Sequence, residues 1–256
     1  MVGIAAGIIV SFILGFFGAG SAVVGLPIIL LFSNLNGHIA LGTNVAGVSM
    51  IAFLVLIYRF TRKDLLILEA TVFTIPGLIG NFCGIRIGLL FPGHKLLFLL
   101  GFVLFLIAGW LFFQGVRGEK NLIKNNNHPN YEEKNSNSKK RLILIGITAF
   151  VIGITAGFFA ISGGFMIVPA LMLIGKLELT QAAGTAIMPI VAFTGLAGTE
   201  YWVTGSVDVS LSFTMLLPGI GGGIAGIWLA KRLPKKNMQI SFAIFLVMIG
   251  IYMILR

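Results

Sequence analysis

The residues of this sequence that could do chemistry are small or hydroxyl-bearing, and they lie where long apolar runs are interrupted. Two such interruptions, at positions 18–21 and 160–164, are rich in Gly, Ala and Ser. We predict that each run forms two half-helices that meet at a break. The second half-helix then begins with backbone N–H groups that lack acceptors, at the positive end of a helix dipole. Because such helix ends bind anions, the breaks predict an anion-binding site.

Nine residues at and after these breaks are candidate substrate-binding residues. The N–H groups near Ser21 and Gly163 would contact the anion, and the glycines would allow its close approach. Threonine hydroxyls open the next helices, where they either cap those helices or donate to the same anion from the opposite side. Close helix packing is the alternative explanation of the glycines. The candidates are Gly20, Ser21, Ala22, Thr43, Asn44, Ser162, Gly163, Gly164 and Thr185.

The two breaks belong to an internal duplication. Gly42-Thr43 returns as Gly184-Thr185, and Pro76-Gly77 as Pro218-Gly219, each 142 positions later. Six of the eight prolines form three pairs at this displacement, which indicates two copies of one unit. We predict a first transmembrane repeat at 1–116, a polar cytoplasmic linker at 117–141 and a second transmembrane repeat at 142–256.

The composition places both repeats in a lipid bilayer. The chain is 57% hydrophobic and 10% charged, whereas soluble domains carry about 25% charged residues. Apolar runs near twenty residues fit spanning helices. We therefore predict an all-α polytopic protein of the plasma (inner) membrane, in which each repeat opens with a broken or re-entrant helix pair followed by three spanning helices.

The positions of the basic residues predict the orientation of the repeats. Arg59, Arg62 and Lys63 mark a cytoplasmic loop in the first repeat, whereas the matching loop at 200–208 has no Lys or Arg. Equivalent loops on opposite sides indicate an inverted repeat. A parallel repeat with an even number of spans is the alternative, because Arg86 and Lys95 weaken the asymmetry.

The sequence lacks the residues that several functional classes require. The net charge of +10 is concentrated between apolar runs and in the linker, a placement typical of membrane topology rather than of nucleic-acid binding. One cysteine, Cys83, excludes an internal disulfide and a Cys-based metal cluster. The sequence contains no catalytic constellation and no phosphate-binding loop. We expect no enzyme activity, no cofactor and no metal.

The repeated motifs resemble those of the sulfite exporter TauE/SafE family. The resemblance lies in the break that follows Gly-Phe and ends in proline, the Gly-Thr of the next helix, and the Pro-Gly-x-x-Gly-x-x-x-Gly of the long helix after it, and it covers nearly the whole chain outside the linker. In the second repeat, Gly205-Ser206-Val207-Asp208 also resembles the Gly-x-Val-Asp turn of the family, whereas the first repeat has Arg62-Lys63-Asp64-Leu65. The resemblance implies transport of small sulfur-containing anions such as sulfite, thiosulfate, sulfonates or sulfoacetate.

We therefore expect a secondary transporter that binds its anion near the midplane between the repeats. An anion channel would use the same helix ends without alternating access. A membrane scaffold that binds a partner through the basic linker is a further alternative. The sequence leaves open the substrate, the direction of transport, the coupling ion and the oligomeric state.

Overall fold

Helices account for all regular structure in the part of the chain that the computed structural model describes. These residues are 2–17, 21–33, 35–61, 65–117, 138–177 and 179–230, with 244, 247–248 and 250–251. The helices are α1 (Val2–Phe17), α2 (Ser21–Phe32), α3 (Gly37–Thr61), α4 (Ile67–Leu89), α5 (Gly93–Arg117), α6 (Ser138–Phe158), α7 (Gly164–Leu173), α8 (Leu179–Val203) and α9 (Val209–Ala230).

Four of these helices contain stretches long and apolar enough to cross a membrane, namely Gly37–Phe60, Ile67–Leu89, Lys140–Phe158 and Gln181–Val203. A fifth span forms if the two halves of α9, Val209–Leu216 and Pro218–Gly226, are counted together across their 48° bend. At 1.5 Å per residue, stretches of this length match the hydrocarbon core. The prediction of an all-α, multi-pass membrane protein is confirmed. The third spanning segment predicted for the second repeat lies mostly outside the described residues.

A short second helix follows the first helix of each repeat, as predicted. The helix α2 has 12 residues and α7 has 10. In the second repeat, Arg141 Nη1 donates to the carbonyl oxygen of Gly175 at 3.3 Å. The start of α6 therefore lies beside the chain that leaves α7, so that α6 and α7 form a hairpin with both ends on one side. The first break, at 18–20, lies outside the described residues.

The helix α6 begins earlier than the sequence suggested. It starts at Ser138, within the stretch predicted as linker, because Lys139, Lys140 and Arg141 are good helix formers directly ahead of the apolar run. Most of the predicted linker, 118–137, lies outside the described residues.

The first helix of each repeat packs closely on the long glycine-containing helix of the other repeat. Four glycines face backbone carbonyl groups so closely that a Cβ would overlap the oxygen atom. The contacts are Gly80 with Phe150, Gly84 with Ile154, Gly222 with Ile8, and Gly226 with Phe12. The last two repeat the first two at the displacement of 142 positions, so α4–α6 and α9–α1 are equivalent interfaces. Small residues at such interfaces allow helix backbones to approach closely.

The equivalent helices α3 and α8 run antiparallel at the centre of the molecule. Three contacts fix their register, Gly42 with Tyr201, Ala46 with Gly198, and Ser49 with Gly195. Their shared midpoint holds Ile51 and Phe193, which are both buried. Two buried apolar side chains therefore lie where these helices cross.

Candidate functional site

The turn between α6 and α7 contains residues with positive φ angles and precedes the uncapped amino-terminal end of α7. Ala160 and Gly163 have positive φ angles of 48° and 63°. The carbonyl oxygen of Gly163 accepts hydrogen bonds from Met166 and Ile167, at 2.8 and 3.0 Å. The N–H groups of the two preceding residues, Gly164 and Phe165, therefore have no carbonyl oxygen of the helix to donate to. Successive N–H groups after a left-handed residue form a concave anion site.

Ser162 adds a buried hydroxyl group to this turn. Its side chain is 0% exposed, and its Oγ has no hydrogen-bond partner among the described residues. A buried hydroxyl without a partner costs on the order of 1–3 kcal/mol. No side chain caps the amino-terminal end of α7 either. The donors of Ser162 and of the first turn of α7 are thus available to a ligand. We call the segment 160–165 the α7 nest.

Apolar side chains enclose the α7 nest. Phe159, Ile161 and Phe165 are each less than a tenth exposed. Oriented donors in a water-poor environment interact more strongly with an anion than the same donors in water. The predicted residues Ser162, Gly163 and Gly164 therefore lie together in surroundings that suit an anion.

The structure corrects the predicted position of the two threonines. Thr43 and Thr185 do not open α3 and α8 but lie six residues inside them, because the apolar residues before them continue the helix. Each hydroxyl accepts an N–H group that precedes a helix of the other repeat. Thr43 Oγ1 accepts from Asp208 at 2.8 Å, and Thr185 Oγ1 accepts from Leu66 at 3.2 Å.

The structure does not bring Thr43 and Thr185 together, contrary to the expectation of a shared anion. Thr43 is next to Gly42, which packs against Tyr201. Tyr201 follows Thr185 by 16 positions on α8, which is roughly 24 Å of helix. A small oxyanion can contact one of these hydroxyls but not both.

Asn44 faces the first repeat's own broken pair. It is fully buried, and a Cβ at Gly25 of α2 would overlap its Oδ1 atom. Gly25 lies one turn after Ser21, so Asn44 packs near the beginning of α2. Ser21 and Ala22 form the first turn of α2. Gly20 and the side chains of Ser21 and Ala22 lie outside what the structure describes.

Asn81 is a fully buried polar residue of α4. With its amide oriented to satisfy both neighbours, Asn81 donates to the carbonyl oxygen of Phe193 at 3.2 Å and accepts the N–H group of Gly157 at 3.0 Å. It thus joins α8 to the last turn of α6, directly before the α7 nest. Its counterpart 142 positions later is Gly223, which has no side chain to form this contact. Only one of the two equivalent interfaces between the repeats therefore has it among the described residues.

A cavity of about 210 Å³ lies between α3, α8 and α9, outside the α7 nest. Ser49, Thr199 and Ser212 contribute its hydroxyl groups, and the remaining lining residues are small or apolar. An apolar lining does not compensate an anion for its lost hydration. The α7 nest therefore remains the better candidate site.

The fold is that of an all-helical, polytopic membrane protein. The family model described as sulfite exporter TauE/SafE matches residues 3–253. The chain belongs to this family of membrane transporters and is not an enzyme.

Relatives match over nearly all of the chain. A probable membrane transporter protein of Xylella fastidiosa (strain Temecula1 / ATCC 700964) is 29% identical, with 100% of this chain and 95% of the relative covered. The probable membrane transporter protein YdhB of Bacillus subtilis (strain 168) is 25% identical, with 91% of each chain covered. No solved structure matches the chain.

Proposed function

We propose that this protein is a secondary transporter that moves small sulfur-containing anions, of the sulfite, thiosulfate, sulfonate or sulfoacetate type, across the plasma membrane. The anion binds at the α7 nest, close to the boundary between the repeats. The observation that carries this proposal is the Ser162 hydroxyl, which is buried without a partner in the described part of the chain next to two free N–H groups.

The donor set favours an anion over a cation or a neutral solute. Hydroxyl and backbone N–H groups can donate to several oxygens of one ligand, and the helix dipole adds a positive end. The description of the matching family, sulfite exporter TauE/SafE, supports a sulfur oxyanion as that ligand. By analogy, we assign an equivalent site to the first repeat. It would lie near Gly20, Ser21 and Ala22, with Asn44 packed near the beginning of α2.

The antiparallel pair of α3 and α8 supports a carrier that alternates between two open states. Equivalent helices that run in opposite directions are what an inverted repeat requires. In such carriers one repeat moves against the other around a fixed site. The helix pairs α4–α6 and α9–α1 make the same glycine–carbonyl contacts. They give this protein two equivalent interfaces for such a movement.

Binding to the purified full chain in detergent tests the proposal. We would measure thermal stabilisation by sulfite, sulfate, thiosulfate, sulfoacetate, taurine, chloride and phosphate, because a ligand that binds only the folded state raises its stability. Since a hydrogen bond to a charged group contributes about 1.5–3 kcal/mol, Ser162→Ala should raise the Kd for the selected anion about ten- to a hundredfold.

Ser11→Ala is the matched control. Ser11 is also fully buried, but its Oγ donates within its own helix to the carbonyl oxygen of Gly7. It should leave anion affinity unchanged. An unchanged affinity in Ser162→Ala would contradict the nest, and a folded wild-type protein that no anion stabilises would contradict anion transport. Counterflow in proteoliposomes then separates a carrier from a channel.

A further inference from the structure

A second cluster of donors lies where two helices of the first repeat begin. Gly37 and Gly93 are the first residues of α3 and α5, and a Cβ on Gly37 would lie 3.0 Å from the carbonyl carbon of Gly93. Neither helix carries an acidic residue in its first turn. Two positive helix ends therefore meet without a carboxylate of their own to neutralise them.

His38 and Tyr201 supply polar atoms at this junction. His38 Nε2 lies 2.9 Å from the carbonyl oxygen of Phe91, so Nε2 carries the proton that this oxygen accepts. The other ring nitrogen, Nδ1, is buried and has no hydrogen-bond partner among the described residues. Tyr201 is 0% exposed, and its hydroxyl likewise has no partner there. The two rings are 6.4 Å apart.

A chain of aromatic contacts connects this junction to the α7 nest. The ring of Phe91, whose carbonyl oxygen binds His38, packs on Phe158 at 5.3 Å. Phe158 is the last residue of α6 and packs on Phe159 at 4.8 Å. Residue 160 then begins the nest. The junction at His38 is therefore joined to the nest by packed aromatic residues.

We infer that His38, Tyr201 and the first turns of α3 and α5 form a second anion site, which is loaded together with one proton. This inference rests on the proposed function. Neutral His38 presents a lone pair at Nδ1, which repels an anion. When Nδ1 takes up a proton from water, the imidazolium keeps its bond to Phe91 and gains an N–H donor. That donor and the Tyr201 hydroxyl then bind the anion, and one proton enters for each anion bound.

The surrounding elements offer few other groups that could take up this proton. Glu200, next to Tyr201 on α8, forms an ion pair with Arg86 at 3.0 Å. Asp208, ahead of α9, accepts the N–H group of Leu211 through Oδ1. His94 and Lys95 on the first turn of α5 are exposed. Of these groups, His38 is the one in ring contact with Tyr201, so the uptake is assigned to it.

The test is the pH dependence of anion affinity in the full chain. Thiosulfate, sulfate and methanesulfonate serve as probes, because none of them titrates near neutral pH. For the probe that binds, we expect the wild-type Kd to fall as the pH is lowered, by at most about tenfold per pH unit for one proton taken up. His38→Gln keeps a donor for Phe91 and should abolish this dependence. Tyr201→Phe should raise the Kd about tenfold at every pH and keep the slope.

Matched controls separate this site from general effects. His128→Gln, in the segment predicted as linker, and Tyr58→Phe, at an exposed position 21 residues after the start of α3, should preserve the slope and the affinity. A wild-type affinity that is independent of pH, or a slope that persists in His38→Gln, would overturn the second site. If the wild-type affinity is independent of pH but is lost in Ser162→Ala, the proposed function stands and the second site does not. A water that merely bridges His38 and Tyr201 would leave both variants unchanged, and binding of no probe at any pH would overturn both proposals.

Discussion

At the scale of single residues, the two threonines hold the repeats together. Each hydroxyl accepts a partly buried N–H group from the other repeat, Thr43 from Asp208 and Thr185 from Leu66. Leu66 and Asp208 are themselves equivalent, 142 positions apart. The pair of contacts is therefore reciprocal, as a two-fold relationship between the repeats requires.

Removing either hydroxyl should destabilise the folded protein. Thr43→Val leaves the Asp208 N–H without its acceptor, which costs about 1–3 kcal/mol, and Thr185→Val does the same to Leu66. Thermal unfolding in detergent measures the loss. Thr43→Ser should retain wild-type stability. Thr199→Val is the control, because the Thr199 hydroxyl is exposed and donates within its own helix. Equal stability of all four variants would contradict the reciprocal contact.

Local patterns predicted the nest but not its long-range partners. The duplicated run of small residues marked Ser162, Gly163 and Gly164 because a helix break needs them within a few positions of one another. The bond between Thr43 and Asp208 joins residues 165 positions apart, and no local spacing indicates it. The same holds for Tyr201, whose sequence neighbours do not reveal that its hydroxyl is buried without a partner among the described residues.

At the scale of helices, glycines set the distance between α1 and α9 and between α6 and α4. On α9, Gly222 faces the carbonyl oxygen of Ile8, whereas a Cβ on the adjacent Gly221 would meet no described atom within 4 Å. The two neighbours therefore differ in packing alone. Comparing substitutions at these two positions therefore distinguishes the effect of helix propensity from the effect of contact between helices.

Gly222→Ala should destabilise the protein by about 1–3 kcal/mol, because the added methyl group forces α1 away from α9. Gly221→Ala should be neutral or slightly stabilising, since alanine favours the helix and meets no neighbour. Thermal unfolding of both variants measures the difference. A Gly221→Ala variant that loses as much stability as Gly222→Ala would show that helix contact is not the cause.

The sequence predicted the helices better than their beginnings. Apolar periodicity and length identified the spans, because a spanning helix must satisfy its backbone internally. The starts of α3, α6 and α8 came earlier than predicted, since nothing ahead of them stops a helix. The partners of each helix depended on glycine contacts between the repeats, which become visible only in three dimensions.

At the scale of the whole molecule, ion pairs connect helices of different repeats. Arg141 Nη2 lies 3.1 Å from Glu69 Oε1, which places the beginning of α6 beside the beginning of α4. The beginnings of α4 and α6 therefore lie at the same end of the molecule. The basic residues ahead of both helices had predicted a common cytoplasmic side.

Shortening the linker should leave transport intact. Deletion of 121–137 removes polar residues that precede α6 and spares Arg141 with its ion pair. Sulfite flux into proteoliposomes should remain within about twofold of the wild type, since the nest and both helix interfaces lie elsewhere. Loss of flux from a folded deletion variant would instead favour the scaffold, in which the linker binds a partner.

The copy-specific contact of Asn81 has an energetic consequence. A transporter with two identical halves would occupy its inward-open and outward-open states equally, because exchanging the halves converts one state into the other. Asn81 on α4 binds α6 and α8 at one interface between the halves, and Gly223 cannot form that bond with the equivalent helices α1 and α3. In a molecule that alternates as proposed, this inequality gives the two states different free energies, and about 1.4 kcal/mol is enough for a tenfold preference. Without substrate, the binding site would then be open mainly to one side of the membrane.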